Sequence, residues 1–169
     1  LCLQECKSPV DKIPLEGFRA LGYTHMVARG QKGYNGVAIL AKSDPEDIST
    51  GFADGGDDSQ ARVIAATIDG VRIISVYVVN GKQIDSEKYA HKLEWLERLE
   101  RYLAAQDRSA PLAICGDYNI VPDERDVEKR EIWQGGVLYN EDLSARFERL
   151  LDLGLVDTFR THHDEAGIY

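Results

Sequence analysis

The sequence predicts a domain of the α/β or α+β class with hairpins in its sheets. Two local signals and one global order lead to that class. Two β-branched runs, residues 61–68 and 71–79, flank Asp69-Gly70, a dipeptide that folds one strand back on another. Residues 85–105 carry Tyr89, Leu93, Leu96, Leu99 and Leu103 at spacings of four and three with charges between them, the period of an amphipathic helix. The elements follow the order β α β β β β α β α, with no internal repeat and no linker that would divide domains. The 169 residues therefore read as a single domain with a core of its own.

The chain opens on the end of a buried strand, Leu1-Cys2-Leu3-Gln4-Glu5, apolar until it stops at a polar pair. A short helix is expected over residues 15–21, closed by Gly22. Residues 23–29 read as a strand and residues 30–34 as a turn. Asn35-Gly36 then leads into the buried strand Val37-Ala38-Ile39-Leu40. Residues 44–59 are rich in Asp, Gly and Ser and read as an exposed loop with a short edge strand at 48–52. The hairpin follows, with Arg62, Tyr77 and Asn80 at its open end. Asp85 or Ser86 caps the long helix, which is expected to cover a sheet; its Trp95 and Tyr102 read as packing residues. After Pro111, Leu112-Ala113-Ile114-Cys115 is expected as a fully buried strand ending in Gly116-Asp117-Tyr118-Asn119. Residues 121–136 read as a long loop. A second amphipathic helix is expected over 144–153, with Phe147, Leu150 and Leu151 on one face and Gly154 at its end. His162 and His163, adjacent in the last loop, read as solvated histidines.

Composition bounds the function. Hydrophobic residues make up 43% and charged residues 29%, the balance of a soluble globular protein. No run reaches the length of a membrane span, and the first residues do not read as a basic-then-apolar leader of the secretory kind. The start at Leu1 reads as entry in mid-element. Cys2, Cys6 and Cys115 are odd in number and lack metal-finger spacing, so they read as free thiols of a reducing compartment, with a cytoplasmic location expected. The net charge of −9 argues against holding nucleic acid by a basic surface. A cleft that binds a divalent cation is the exception, because it must be acidic and the metal inverts the local field.

The chemistry-bearing residues sit at strand ends. Residues i and i+2 of an extended chain point to the same side, so Asp117 and Asn119 are expected to leave one strand edge together. A carboxylate beside a carboxamide suits Mg²⁺ and phosphate oxygens; Gly, Asp and Asn in that order also suit a plain turn. Glu5 ends another strand, as a metal ligand or as a solvated carboxylate. Asn35 opens a third, as a site residue or as part of a type I′ turn. Tyr77 and Asn80 close a fourth.

These segments together resemble the exonuclease III and abasic-site endonuclease branch of the endonuclease/exonuclease/phosphatase superfamily. The resemblance is carried by Leu3-Gln4-Glu5-Cys6-Lys7, Gly33-Tyr34-Asn35-Gly36-Val37-Ala38-Ile39-Leu40, Val76-Tyr77-Val78-Val79-Asn80-Gly81 and Gly116-Asp117-Tyr118-Asn119-Ile120, with Gly154-Leu155-Val156-Asp157-Thr158-Phe159-Arg160 as a further match. It runs through essentially the whole chain. It implies a DNase I-like, four-layered sandwich in which two mixed β-sheets pack face to face and helices flank them. It implies a Mg²⁺-dependent DNA-repair phosphodiesterase, with Mn²⁺ as a possible substitute, that cleaves double-stranded DNA at abasic sites and trims 3′ ends as a monomer. By this resemblance Glu5, Asp117 and Asn119 serve the metal. Asp117 and Tyr77 are catalytic, Asp117 acting on the attacking water or on the leaving group. Asn35, Asn80 and Arg62 bind substrate.

The sequence departs from the family pattern in two ways. Val79 stands where the family usually has Pro, and Cys6 where Thr is commoner; neither is expected to touch the chemistry. The pattern also begins one strand before Leu1 and continues past Tyr169, so the chain is expected to be a partial catalytic domain, incomplete at both termini. Gly167-Ile168-Tyr169 reads as the start of an aromatic segment, and the family's terminal Asp-His pair is not found in the chain. Another phosphodiesterase or phosphatase of the superfamily, and a catalytically incomplete fragment, remain as alternative expectations.

Overall fold

A strand that is apolar at every position is stable only where both its faces are covered. Val37–Ala41 meets that condition: all five residues are buried. It is the centre of the first of two sheets in the computed structural model, which describes residues 1–167. Ile168 and Tyr169, and with them the rest of the expected aromatic segment, lie outside the described residues. The chain divides into two compact units, Leu1–Tyr77 with Asp107–Tyr118, and Val78–Gln106 with the chain from Asn119 onwards.

The first unit holds both sheets. In one, β1 (Cys2–Gln4), β2 (His25–Arg29) and β3 (Val37–Ala41) lie in the order β1-β3-β2, antiparallel throughout. In the other, β4 (Glu46–Thr50), β5 (Val63–Ile68), β6 (Val71–Tyr77) and β7 (Leu112–Asp117) lie in sequence order. Here β4, β5 and β6 are antiparallel and β6 pairs with β7 in parallel. Alternation along the strands sends Val37 and Ile39 of the first sheet against Ile64 and Ala66 of the second, with Cys2, Val27, Ile68, Ile73 and Tyr77 around them. Asp69 and Gly70 both have positive φ (50° and 78°), so the hairpin between β5 and β6 turns as the sequence predicts. A short helix, α1 (Leu15–Arg19), follows β1 and ends two residues earlier than expected. All three cysteines are free thiols.

The parallel pair needs a crossover. Residues 78–106 supply it and carry α2 (Glu87–Ala104), whose N-cap is Ser86: its hydroxyl accepts from Tyr89 N. The second unit adds α3 (Arg130–Trp133) and α4 (Glu141–Asp152). Charged pairs tie α4 to α2: Arg146 to Glu97 at 3.1 Å and Arg149 to Glu100 at 3.0 Å.

Several boundaries differ from the expectation. The second long helix starts at Glu141 rather than 144, because Asn140 caps it by accepting from Leu143 N and Glu141 and Asp142 favour the positive helix start. The presumed loop at 121–136 contains α3 and a single 3₁₀ turn, Glu124–Asp126, closed by a capping box on Asp123. The edge strand lies at Glu46–Thr50, and its charged residues and irregular register protect an exposed edge. β7 is half-buried rather than fully buried, since it pairs on one side only. Asn35-Gly36 is not the tip of a two-residue hairpin: β2 and β3 are joined by the longer loop 30–36.

Gly116 permits the approach of β7 to β6. Its φ is 145°, and a Cβ there would lie 1.9 Å from Val76 O. Gly116→Ala is expected to lower stability by about 3 kcal/mol, read as a lower urea midpoint at unchanged slope. Asn140→Ala removes the α4 cap and the bonds of the Asn140 carboxamide to Tyr89 Oη at 3.0 and 3.2 Å. It is expected to cost about 1–2 kcal/mol in the same measurement, and an unchanged midpoint would show that the cap contributes nothing.

Candidate active site

Glu5 stands one residue beyond β1, on backbone bent out of the strand. Gln4 Nε2 donates to Ser75 Oγ at 3.1 Å, tying the end of β1 to β6. Glu5 and Lys7 then adopt φ of 52° and 51°, values uncommon for residues with a side chain. Neighbouring backbone holds them there. Cys6 N donates to Gly36 O at 3.2 Å, Lys7 N to Asn35 O at 2.9 Å, and Gly33 N to Lys7 O at 3.0 Å. Asn35 and Gly36 are themselves at positive φ, and a Cβ on Gly36 would lie 3.1 Å from Cys6 Cβ. The Asn-Gly signal thus marks the cradle of the Glu5 loop. Asn35 is buried, and its Nδ2 donates to Gln31 Oε1 at 2.9 Å.

Tyr77 and Asp117 are brought together by sheet register. They are partners at the final position of the parallel pair β6–β7, so a phenol and a carboxylate leave neighbouring strands side by side. Arg62 lies against Tyr77: its guanidinium stands 4.6 Å from the ring centroid, and its Nη1 donates to Tyr77 O at 3.1 Å.

The electrostatics link these groups to Glu5. The Lys7 ammonium, 2.6 Å from Glu5 Oε2, and a hydrogen bond with Tyr77 hold the Glu5 carboxyl below its usual range. Burial, and then the Glu5 charge, push the Tyr77 phenol up, so it remains a protonated donor at neutral pH. Desolvation lowers Arg62, while Tyr77, Glu5 and Asp117 favour its charge. Glu5, Arg62, Tyr77 and Asp117 therefore form one group in the first unit, with Lys7 at its margin.

Asn80 and Asn119 form a second group, in the second unit. Asn80 Nδ2 donates to Asn119 Oδ1 at 2.9 Å, and Asn119 Nδ2 donates to Val78 O at 3.0 Å. The expectation that Asp117 and Asn119 share one side of a strand does not hold. β7 ends at Asp117, and Asn119 has φ 49°, so strand alternation no longer sets its direction. Beneath the pair lies a residue that sequence reasoning passed over. Lys92 donates from Nζ to the carbonyls of Asn119, Val137 and Asn80 at 2.6, 2.7 and 3.2 Å. A signal for it existed: positions 89, 92, 96, 99 and 103 repeat at three and four, which sets a lysine on an otherwise apolar stripe.

Among the described residues no three His, Cys, Asp or Glu side chains converge as a metal cluster. The donors in the first group are two carboxylates, Glu5 and Asp117, and the Glu5 side chain is 41% exposed. Such a set fits Mg²⁺, which keeps several waters and is commonly held by one or two carboxylates with substrate phosphate. His163 packs its ring on Phe159, 4.8 Å between centroids, and belongs to neither group.

The sequence matches the Endonuclease/Exonuclease/phosphatase family over residues 1–163. It is 35% identical to exodeoxyribonuclease III of Haemophilus influenzae, over 98% of this chain and 66% of that protein. It is 28% identical to the DNA repair nuclease APEX1 of Danio rerio, over 100% of this chain and 56% of that one. An AP endonuclease from Archaeoglobus fulgidus superposes with a TM-score of 0.93 at 41% identity, covering 100% of this chain and 65% of its own. The Neisseria 3′ phosphatase NExo, solved with a product DNA hairpin, gives 0.92 at 40% identity, covering 98% and 65%. The chain thus spans 66% of the length of the Haemophilus protein and 65% of each of these two structures. The expected two-sheet, DNase I-like fold is therefore the fold of these structures. With its family motifs in place and the match running from Leu1 almost to its end, the chain belongs to the endonuclease/exonuclease/phosphatase family.

Proposed function

We propose that this chain is part of a divalent-metal-dependent phosphodiesterase of DNA repair, acting on double-stranded DNA at abasic sites and at 3′ ends. The observation that carries the reading is the Glu5–Tyr77–Asp117 group: an ionised carboxylate at the end of β1, with a protonated phenol and a second carboxylate in register at the ends of β6 and β7. The names of the relatives supply the substrate class, since they include exodeoxyribonuclease III, a DNA repair nuclease and an AP endonuclease.

Hydrolysis of a phosphodiester forms a bond from water oxygen to phosphorus while the P–O3′ bond breaks. It needs an in-line water, neutralisation at the non-bridging oxygens and a proton for the departing 3′ oxygen. A bound Mg²⁺, with Mn²⁺ as its substitute, would neutralise phosphate charge and support the leaving oxygen. Glu5 and Asp117 would hold it. Asp117 takes the proton of the attacking water or returns one to the 3′ oxygen. Tyr77, held by Arg62 and kept protonated, donates to a phosphate oxygen. Asn119 and Asn80 orient the phosphate and its water. The Asn35 carbonyl accepts from Lys7 N and so braces the Glu5 loop. None of these roles requires a basic chain, which accommodates a net charge of −9.

A second reading has one observation in its favour: a relative 40% identical is a 3′ phosphatase. Removal of a 3′ phosphate would use the same groups on a terminal substrate.

The deciding experiment measures turnover of three duplexes by the full-length protein: one with an internal abasic site, one with a 3′-phosphate and one with an intact 3′-hydroxyl end. Cleavage of the abasic duplex is expected to stop with EDTA and return with Mg²⁺. Glu5→Ala is expected to lower it about 1000-fold, with little change in thermal midpoint because the side chain is exposed. Near-wild-type cleavage by Glu5→Ala would remove Glu5 from the site, and turnover confined to the 3′-phosphate would favour the second reading. Tyr77→Phe, which deletes only the donor, is expected to lower kcat about 10- to 100-fold with KM nearly unchanged. An unaltered kcat would exclude Tyr77 from contact with the reacting phosphate.

A further inference from the structure

α2 turns Tyr89, Trp95, Leu96, Leu99 and Leu103 inward, and Lys92 sits in the same stripe with no exposed surface. Removing an ammonium from water costs several kcal/mol unless acceptors replace the water. A leucine would fill the stripe without that cost, so the packing of the helix does not account for a lysine. What a lysine does here is bind three separate stretches of backbone at once, through the carbonyls of Asn80, Asn119 and Val137.

Two of those carbonyls belong to the asparagines whose side chains bond each other. Asn119 is held in left-handed backbone at φ 49°, a conformation that persists only where its surroundings enforce it. Its carbonyl is at 2.6 Å from Lys92 Nζ, the shortest of the three contacts. The Asn119 carboxamide accepts from Asn80 and donates to Val78 O, so fixing the two carbonyls also fixes the orientation of the paired side chains. The backbone is fitted to the lysine stem as well. Gly81, next to Asn80, has φ 95°, and a Cβ there would lie 3.1 Å from Lys92 Cδ.

We propose that Lys92 is a positioning residue for the reaction: its buried ammonium clamps the main chain of Asn80, Asn119 and Val137 and thereby sets the Asn80–Asn119 pair in the orientation that meets the substrate. This rests on the assignment of Asn80 and Asn119 to substrate orientation above. Lys92 touches neither substrate nor metal in this role. Misplacement of the pair, rather than loss of a reacting group, is the effect its removal produces.

The test sets Lys92→Met against Leu99→Ala, a truncation of a buried residue on the same helix that matches the loss of stability. Both variants of the full-length protein are assayed on abasic duplex DNA with Mg²⁺ at a temperature where both are folded. The side-chain NH₂ resonances of Asn80 and Asn119 are followed by ¹⁵N NMR in each. Lys92→Met is expected to lower kcat/KM about 100-fold, mostly in kcat, and to move both pairs of resonances, while Leu99→Ala keeps about wild-type kcat and unmoved resonances. Loss in Lys92→Met no larger than in Leu99→Ala, with the asparagine signals in place, overturns the proposal. If the wild-type protein cleaves none of the three duplexes, the functional reading fails, and the resonances alone decide the clamp: moved signals support it and unmoved signals overturn it. Where Lys92→Met does not fold, Lys92→Gln, which keeps two N–H donors on a shorter arm, is read by the same two measurements.

Discussion

The parallel pairing of β6 with β7 is the constraint on which the rest depends. It places Tyr77 opposite Asp117 at the last rung, and it forces the chain to leave the sheet and return, so residues 78–106 and their long helix exist because the pair is parallel. Gly116 is the local condition for it. One residue before Asp117 the two backbones come so close that a methyl group would overlap Val76 O. A side chain at position 116 would displace the carboxylate that follows, which couples a packing requirement to the candidate site.

Backbone strain gathers at the same places. Of the nine non-glycine residues with positive φ among the described residues, Glu5, Asn35 and Asn119 are three that the sequence singles out for the site, and Lys7 is a fourth beside them. Each costs of order 1–3 kcal/mol and persists because hydrogen bonds from elsewhere hold it. The Glu5 loop is held by the backbone of Asn35 and Gly36, and Asn119 by Lys92 and its bonds to Asn80 and Val78. In both cases the candidate site residue is bent out of regular structure and the residues that hold it lie far away in sequence. Charge is arranged with the same economy. Lys7 stands beside Glu5 and Arg62 against Tyr77, so positive charge is placed locally in an acidic chain, and the two carboxylates suit a divalent ion.

Much of this was legible in the sequence. The Asp69-Gly70 hairpin, the buried β3 and the long helix follow from signals only a few residues long, and all three are present. The candidate site residues stand out in the sequence because they lie at the ends of apolar runs. Other features were not. The start of α4 depends on a single Asn cap that a helical period does not weigh, and the half-burial of β7 depends on how many strands flank it. Asn35-Gly36 suits a site residue or a type I′ turn by sequence; its positive φ values are present, and what they build is a cradle for a loop about thirty residues away in sequence.

By itself the sequence determined most strands and the long helix, the family and the candidate site residues. These depend on local periodicity, on turn-forming dipeptides and on short motifs, all contained within a few residues of chain. Only the tertiary structure decided which groups meet. Register put Tyr77 beside Asp117, the guanidinium of Arg62 came to rest on the Tyr77 ring, and Lys92, which the helical period sets on the apolar stripe, found its partners in the backbone of Asn80, Asn119 and Val137. Burial of an ammonium is decided by whether carbonyls from distant segments arrive to replace its water, and no window of sequence around position 92 contains that information.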